Sequence, residues 1–246
     1  MTPPAQRPSV ATMNVRRVVL AGGALAALLA RPRLRSWGAT CEERRMPLPG
    51  DGLIPGERDV TTMATTIAAP PEAVWPWLAQ MGWDRAGWYS FDRLDRGGHP
   101  SAEVVDPAWT AIREGDRLFS LPDQRCWFDV VHCEPGRSLV LRAALDSRGR
   151  PYGAGGRRPR WFNDSRWEFF LIPLPGGATR LLVRSGGAAR PRAAAALTNL
   201  AFWHPAHLVM QLRQFQGLRR RAEGAMLHDR EVRHAAAGGM IPVAGS

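Results

Sequence analysis

The chain has 246 residues, 45% of them hydrophobic and 22% charged, which suits one folded domain with extensions and excludes wholesale disorder. Its formal charge of +11 invites a nucleic-acid reading, but residues 1–36 hold six arginines and no acid, leaving 27 arginines against 22 acids, or +5, elsewhere. No helix-turn-helix, zinc-finger or RNA-binding signature accompanies the charge, so no nucleic-acid partner is expected. Three cysteines cannot close a disulfide framework and show no zinc spacing, so no metal is expected; no P-loop or dinucleotide glycine pattern appears, so no cofactor is expected.

Residues 18–30 (VVLAGGALAALLA) form an apolar run with arginines on both sides. As a helix it reaches about 20 Å, short of the roughly 30 Å of a bilayer's hydrocarbon core. Arginine directly after it disfavours export, so membrane association through 18–30, with the remainder cytoplasmic, is the expectation over secretion. Residues 37–59, punctuated by Pro47, Pro49, Gly50, Pro55 and Gly56, read as an extended lead-in. Met63, Thr65, Ile67 and Ala69 then recur with period two, as one face of a half-buried strand. Pro71 suits the first turn of a helix carrying Val74, Trp75, Leu78 and Met81 on one face, with Pro76 keeping it short or kinked. Trp83, Trp88, Tyr89 and Phe91 follow as an aromatic cluster around Gly82 and Gly87.

A short strand is expected at 117–121. Two hairpins follow, 127–133 with 138–143 across Glu134-Pro135-Gly136, and 167–174 with 179–185 across Pro175-Gly176-Gly177. In the second, Trp167, Phe169 and Leu171 share a face that Leu181 and Val183 can meet. Cys126 and Cys133, seven apart in one expected strand, fall on opposite faces and too far apart to bond. Residues 146–160, rich in Gly, Pro and Arg, read as a mobile loop and a candidate lid. Residues 193–203 are helical, Pro205 breaks or restarts the helix, and a stripe of Leu208, Leu212, Phe215 and Leu218 carries it to about Glu223. A flexible tail over 225–246 completes the chain.

Three segments carry a resemblance: Trp37-Gly-Ala-Thr-Cys-Glu-Glu43 with Leu48-Pro-Gly-Asp51; Val74-Trp-Pro-Trp-Leu78 through Gly87-Trp-Tyr-Ser-Phe-Asp92; and Pro205-Ala-His-Leu-Val-Met210. Together they resemble the START-like, helix-grip SRPBCC superfamily of polyketide cyclases and lipid carriers, in a bacterial subgroup of uncharacterised proteins. The resemblance implies an α+β helix-grip fold over 60–224: a curved antiparallel sheet around a long C-terminal helix, with an internal cavity. It implies that Trp88, Tyr89, Asp92, Trp127, Trp167, Phe169 and His207 are the residues to test as ligand-binding.

The implied function is binding, and carriage, of a hydrophobic small molecule or lipid. A cyclase/dehydratase-type enzyme is the alternative, with Tyr89, Asp92 and His207 as acid–base candidates. A membrane-tethered interaction module with a filled core is a third reading. For each named residue a structural role competes: the aromatics as core filling, Asp92 as a turn cap or partner of Arg93 or Arg96, and His204 and His207 as helix-start histidines. His207 is also a candidate to hydrogen-bond Glu134.

Overall fold

A computed structural model describes residues 35–152 and 157–238. The apolar run at 18–30 and the middle of the expected lid, 153–156, lie outside the described residues. Ten elements of regular structure matter to the site. They are α1 (Cys41–Arg45), β1 (Arg58–Ile67), α2 (Pro71–Ala79), α3 (Asp92–Asp95), β2 (Arg117–Phe119), β3 (Trp127–Glu134), β4 (Ser138–Asp146), β5 (Phe162–Leu174), β6 (Ala178–Arg190) and a C-terminal helical run. That run comprises α4 (Arg192–Thr198), a π-helical stretch (Asn199–Trp203) and α5 (His204–Gly238). The six strands form one antiparallel sheet in the order β1-β6-β5-β4-β3-β2. The fold is therefore α+β, a curved sheet with a long C-terminal helix.

The inner face of the sheet follows the period-two reading. Met63 and Ile67 of β1, Leu139 and Leu141 of β4, Phe169 and Leu171 of β5, and Leu181 and Val183 of β6 are buried in one core cluster. Phe169 pairs with Val183 and Leu171 with Leu181 across the β5–β6 ladder. α2 begins at Pro71 and packs Val74, Trp75 and Leu78 into the same core, with Pro76 inside a helix of only nine residues. Phe215, Leu218 and Ala222 of α5 close the core from the other side.

The lead-in is not merely extended. Thr40 and Glu43 form a reciprocal capping box that starts α1, each side chain accepting from the other's backbone N–H at 3.1 and 2.7 Å. The Trp37 carbonyl accepts from the Ala64 N–H at 3.0 Å, which covers the free edge of β1. Gly38, at φ +70°, allows this approach: a Cβ there would sit 2.2 Å from the Ala64 carbonyl oxygen.

Residues 43–57 then cross the outer face of the sheet and bury a charged network. Arg166 of β5 is 1% exposed and reaches Glu168 at 2.5 Å, Glu57 at 2.6 Å and Asp51 at 2.7 Å. Arg184 of β6 pairs with Asp51 at 2.8 Å and donates to the carbonyls of Met46, Glu43 and Arg44. Glu168, fully buried, also accepts from the Gly50 N–H. Burial pushes the Glu168 carboxyl upward, opposed by that N–H and by Arg166. For Asp51 burial is outweighed by the Leu48 N–H and Arg184, and its carboxyl sits below the usual range.

Two expectations need correcting. A register shift between Val130 and His132 inserts a residue into β3, so Cys133 packs on the core while Cys126 lines the cleft described below. The bulge reverses the parity that would have placed the two cysteines on opposite faces. The final helix also continues to Gly238 rather than giving way near Glu223. Residues 225–236 are rich in Ala, Met, Leu, Glu and Arg, all strong helix formers.

Candidate functional site

Between the inner face of the sheet and the α4–π–α5 run lies a cleft of about 2100 Å³, open to solvent rather than sealed. Its aromatic wall is Trp88, Phe128 and Trp167, whose ring centroids lie 5.6–5.9 Å apart. Trp88 and Phe128 approach edge-on at 5.7 Å, the arrangement that ring quadrupoles favour. Trp127 lines the outer part of the cleft, with the Arg117 guanidinium 4.4 Å from its ring centroid and its indole N–H donating to Asp129.

Polar groups concentrate at the end of the cleft where two irregular backbone segments meet. In β1 the register shifts between Arg58 and Thr61, and Asp59 adopts φ +54°. Opposite it, the helix widens into the π stretch just before Pro205. Proline has no N–H to donate to the preceding turn and its ring crowds that turn's carbonyl, so a wider turn relieves the conflict. The two distortions bring Asp59, Asn199, His204 and His207 to one place. Asn199 Nδ2 donates to Asp59 at 3.2 Å, and Arg35 pairs with the other carboxylate oxygen. Burial opposes ionisation of Asp59, but Asn199, Arg35 and His204 hold its carboxyl below the usual range.

His207 lies 3.4 Å from Ser185 Oγ on β6. Loss of hydration, and then repulsion from His204, hold the His207 imidazole at about 4, so it is neutral near pH 7. Beyond it, Trp167 Nε1 donates to Gln211 Oε1 at 3.3 Å, and Gln211 Nε2 donates to Gln214. The cleft thus combines an apolar aromatic wall with a hydrogen-bonding end, where the neutral His207 and Ser185 sit beside the charged Asp59.

Asp95 is the third polar feature. It lines the cleft from α3, and its carboxylate oxygens are buried with no side chain within hydrogen-bond distance. Burial, and then repulsion from Asp92, push its carboxyl upward, opposed by the backbone N–H groups of Phe91 and of Asp95 itself. A buried carboxyl pushed upward beside a cleft is a candidate functional group.

Of the seven residues singled out from sequence, Trp88, Trp127, Trp167 and His207 line the cleft and Tyr89, Asp92 and Phe169 do not. The chain kinks at Tyr89, where φ is +59°, so Trp88 and Tyr89 part company. Tyr89 is buried behind the cleft, its hydroxyl accepting from Gln80 at 2.8 Å and its ring under Arg221 at 4.7 Å. Burial pushes its hydroxyl above the usual tyrosine range. Asp92 accepts from Ser101 Oγ at 2.5 Å, neither of the arginine pairings expected for it. Tyr89 and Asp92 line a separate, small cleft of about 150 Å³. Phe169 is sealed in the core, 4.8 Å from the Trp167 ring. Glu134, the alternative partner for His207, pairs instead with Arg137.

Asp59, Asp95, Ser185, Asn199 and Gln211 were missed. A signal existed for two of them: Asn199, His204, His207 and Gln211 are spaced so that one side of a helix holds them all. The others depend on a bulge, an isolated helical turn and a strand register that no local pattern specifies.

No protein-family model matches the chain, and no curated protein does. Among solved structures, protein MLL2253 from Mesorhizobium loti is similar over 67% of this chain and 96% of its own, at 18% identity and a TM-score of 0.37. CalU16 from Micromonospora echinospora is similar over 67% of this chain and 86% of its own, at 14% identity and a TM-score of 0.30. DynU16, from the dynemicin biosynthetic locus, is similar over 68% of this chain and 48% of its own, at 17% identity and a TM-score of 0.35. At such TM-scores the fold assignment rests on the strand order and the C-terminal helix, not on the likeness.

Proposed function

We propose that the protein binds a hydrophobic small molecule, a lipid, isoprenoid or polyketide being the first classes to offer, in the cleft between the sheet and the α4–π–α5 helix. The observation that carries this is the pairing of a large open cleft, walled by Trp88, Phe128 and Trp167, with a polar end where Ser185, His207 and Gln211 offer uncharged hydrogen-bonding groups. Small-molecule sites take this form: mostly apolar walls with a few convergent polar groups. Burying about 300 Å² of apolar ligand surface supplies roughly 7 kcal/mol before the costs of immobilisation. A neutral His207 and Ser185 suit a hydroxyl or carbonyl on the ligand. The space left open argues against a core filled by its own tryptophans.

The test is native mass spectrometry of the full-length chain with organic extraction of what co-purifies, repeated on Ala143→Trp, which places an indole in the cleft. A stoichiometric apolar adduct lost in Ala143→Trp supports the reading. An adduct retained by that variant places the ligand elsewhere.

Asp95 favours a second reading, a cyclase/dehydratase-type enzyme. A carboxyl pushed upward by burial is more readily protonated than an exposed one and so suits a group that gives a proton to a bound substrate. Once a ligand is in hand, Asp95→Asn separates the readings. Turnover lost with affinity retained supports the enzyme; no turnover in either protein supports the carrier.

A further inference from the structure

The helical run at the cleft mouth is built inside out. Residues 193–212 contain no charged side chain, and the polar residues Asn199, His204, His207 and Gln211 turn towards the cleft. Leu197, Phe202 and Val209 turn the other way and are 68%, 59% and 53% exposed. Their spacing puts them on one side. Phe202 follows Leu197 by five residues across the π stretch, whose turn is wider than an α turn, and Val209 follows Phe202 by two α turns. Trp203 sits between the two faces, lining the cleft while its ring meets Phe202 edge-on at 5.3 Å. A surface helix of a water-soluble domain has the opposite arrangement, apolar in and polar out. The cleft accounts for the polar inner side of this helix; no contact among the described residues covers the outer side.

Charge marks what lies outside. Arg190 and Arg192 precede the run and Arg213 follows it, and residues 169–222 contain no Asp or Glu. Among the described residues none of these three arginines pairs with a carboxylate. The apolar surface continues around the cleft mouth through the exposed side chains of Leu94, Leu121 and Trp161. Exposed leucine, valine and aromatic side chains flanked by unneutralised guanidinium groups match a bilayer interface with anionic headgroups. The apolar side chains enter the acyl boundary, the aromatic rings sit at headgroup level, and the arginines meet phosphate.

We propose that the outward face of α4, the π stretch and the first turns of α5 docks this protein onto an anionic lipid bilayer, with the mouth of the cleft against the membrane. The helix lies in the interface, since no described helix is long and apolar enough to cross. The inference is independent of which molecule fills the cleft, so it stands or falls separately from the binding reading.

The test is flotation of the full-length protein with vesicles of phosphatidylglycerol and phosphatidylcholine, and with vesicles of phosphatidylcholine alone. Binding is expected on the anionic vesicles and is weakened at least tenfold in a Leu197→Glu, Phe202→Glu double variant. Arg190→Gln and Arg192→Gln each weaken it about fivefold, as roughly 1 kcal/mol per basic residue implies. Leu227→Glu, at a residue 60% exposed farther along α5, leaves it unchanged. Undiminished binding by the double variant overturns the proposal and places any attachment elsewhere, as in residues 1–34. It is equally overturned if the wild type ignores vesicles but forms a dimer that the double variant dissolves, which would make this face an interface between copies.

Discussion

Replacing Arg166 by methionine removes the cation that the outer face of the sheet is built around. Arg166 is 1% exposed and holds Glu168, Glu57 and Asp51 within 2.7 Å, and Glu168 is itself fully buried. Without the guanidinium, Glu168 retains the Gly50 N–H but no adjacent positive charge other than that of Arg184. Breaking a buried pair by deleting one partner costs about 3–5 kcal/mol, because the other charge is left uncompensated. At roughly 2–4 °C per kcal/mol for a chain of this size, Tm should fall by about 6–20 °C. Urea unfolding followed by circular dichroism measures the loss directly. Hydrogen exchange should show residues 43–57 opening first, since Asp51 and Glu57 tie that segment to the sheet. The double variant Arg166→Met, Glu168→Met should recover much of the loss, because apolar side chains can replace a buried pair. A single-variant cost below 1 kcal/mol, with 43–57 still protected, would refute the view that this network fastens the lead-in.

Other changes probe other joints. Thr40→Ala deletes one half of the α1 capping box and should cost about 1 kcal/mol in urea unfolding. Gly217→Ala puts a Cβ 2.4 Å from the Tyr89 carbonyl oxygen and should cost roughly 1–3 kcal/mol by forcing α5 away from the kinked 88–90 segment; an unchanged Tm would show that contact to be slack. The folded imidazole of His207 titrates near 4, below its ordinary 6.5. The unfolded chain therefore binds the extra proton first. This residue costs nothing above about pH 6.5, destabilises progressively as pH falls towards 4, and adds no further loss below that. The stability of His207→Phe should depend less steeply on pH across that window, and an NMR titration of His207 with a midpoint near 6.5 would contradict the assignment.

How much of this was readable from the chain depends on how local each cause is. β1 is announced by Met63, Thr65 and Ile67, and the two hairpins by Pro-Gly turns between apolar runs, because strand alternation and turn chemistry act over a few residues. Arg166 and Glu168 alternate with Trp167 and Phe169 and so read as the solvated side of β5. They are buried only because residues more than a hundred positions earlier cross that side. The same distinction separates the site residues. Trp88, Trp167 and His207 were reachable from aromatic density and helical spacing. Tyr89 was misplaced because a single left-handed residue turned it away from Trp88. Asp59 and Ser185 meet the helix through a bulge in β1 and the β1–β6 register, which pattern alone does not specify. The inverted face of α4 and α5 was visible in sequence as 20 uncharged residues, but its orientation needed the sheet.

The most direct test of the account is native mass spectrometry of the full-length protein, with organic extraction of any adduct and back-titration into the stripped chain. One apolar molecule per chain should co-purify, rebind, change the fluorescence of Trp88 and Trp167, and be excluded by Ala143→Trp. A mass that is apo as purified, and stays apo when lipids, isoprenoids and polyketide-like compounds are offered, would contradict it.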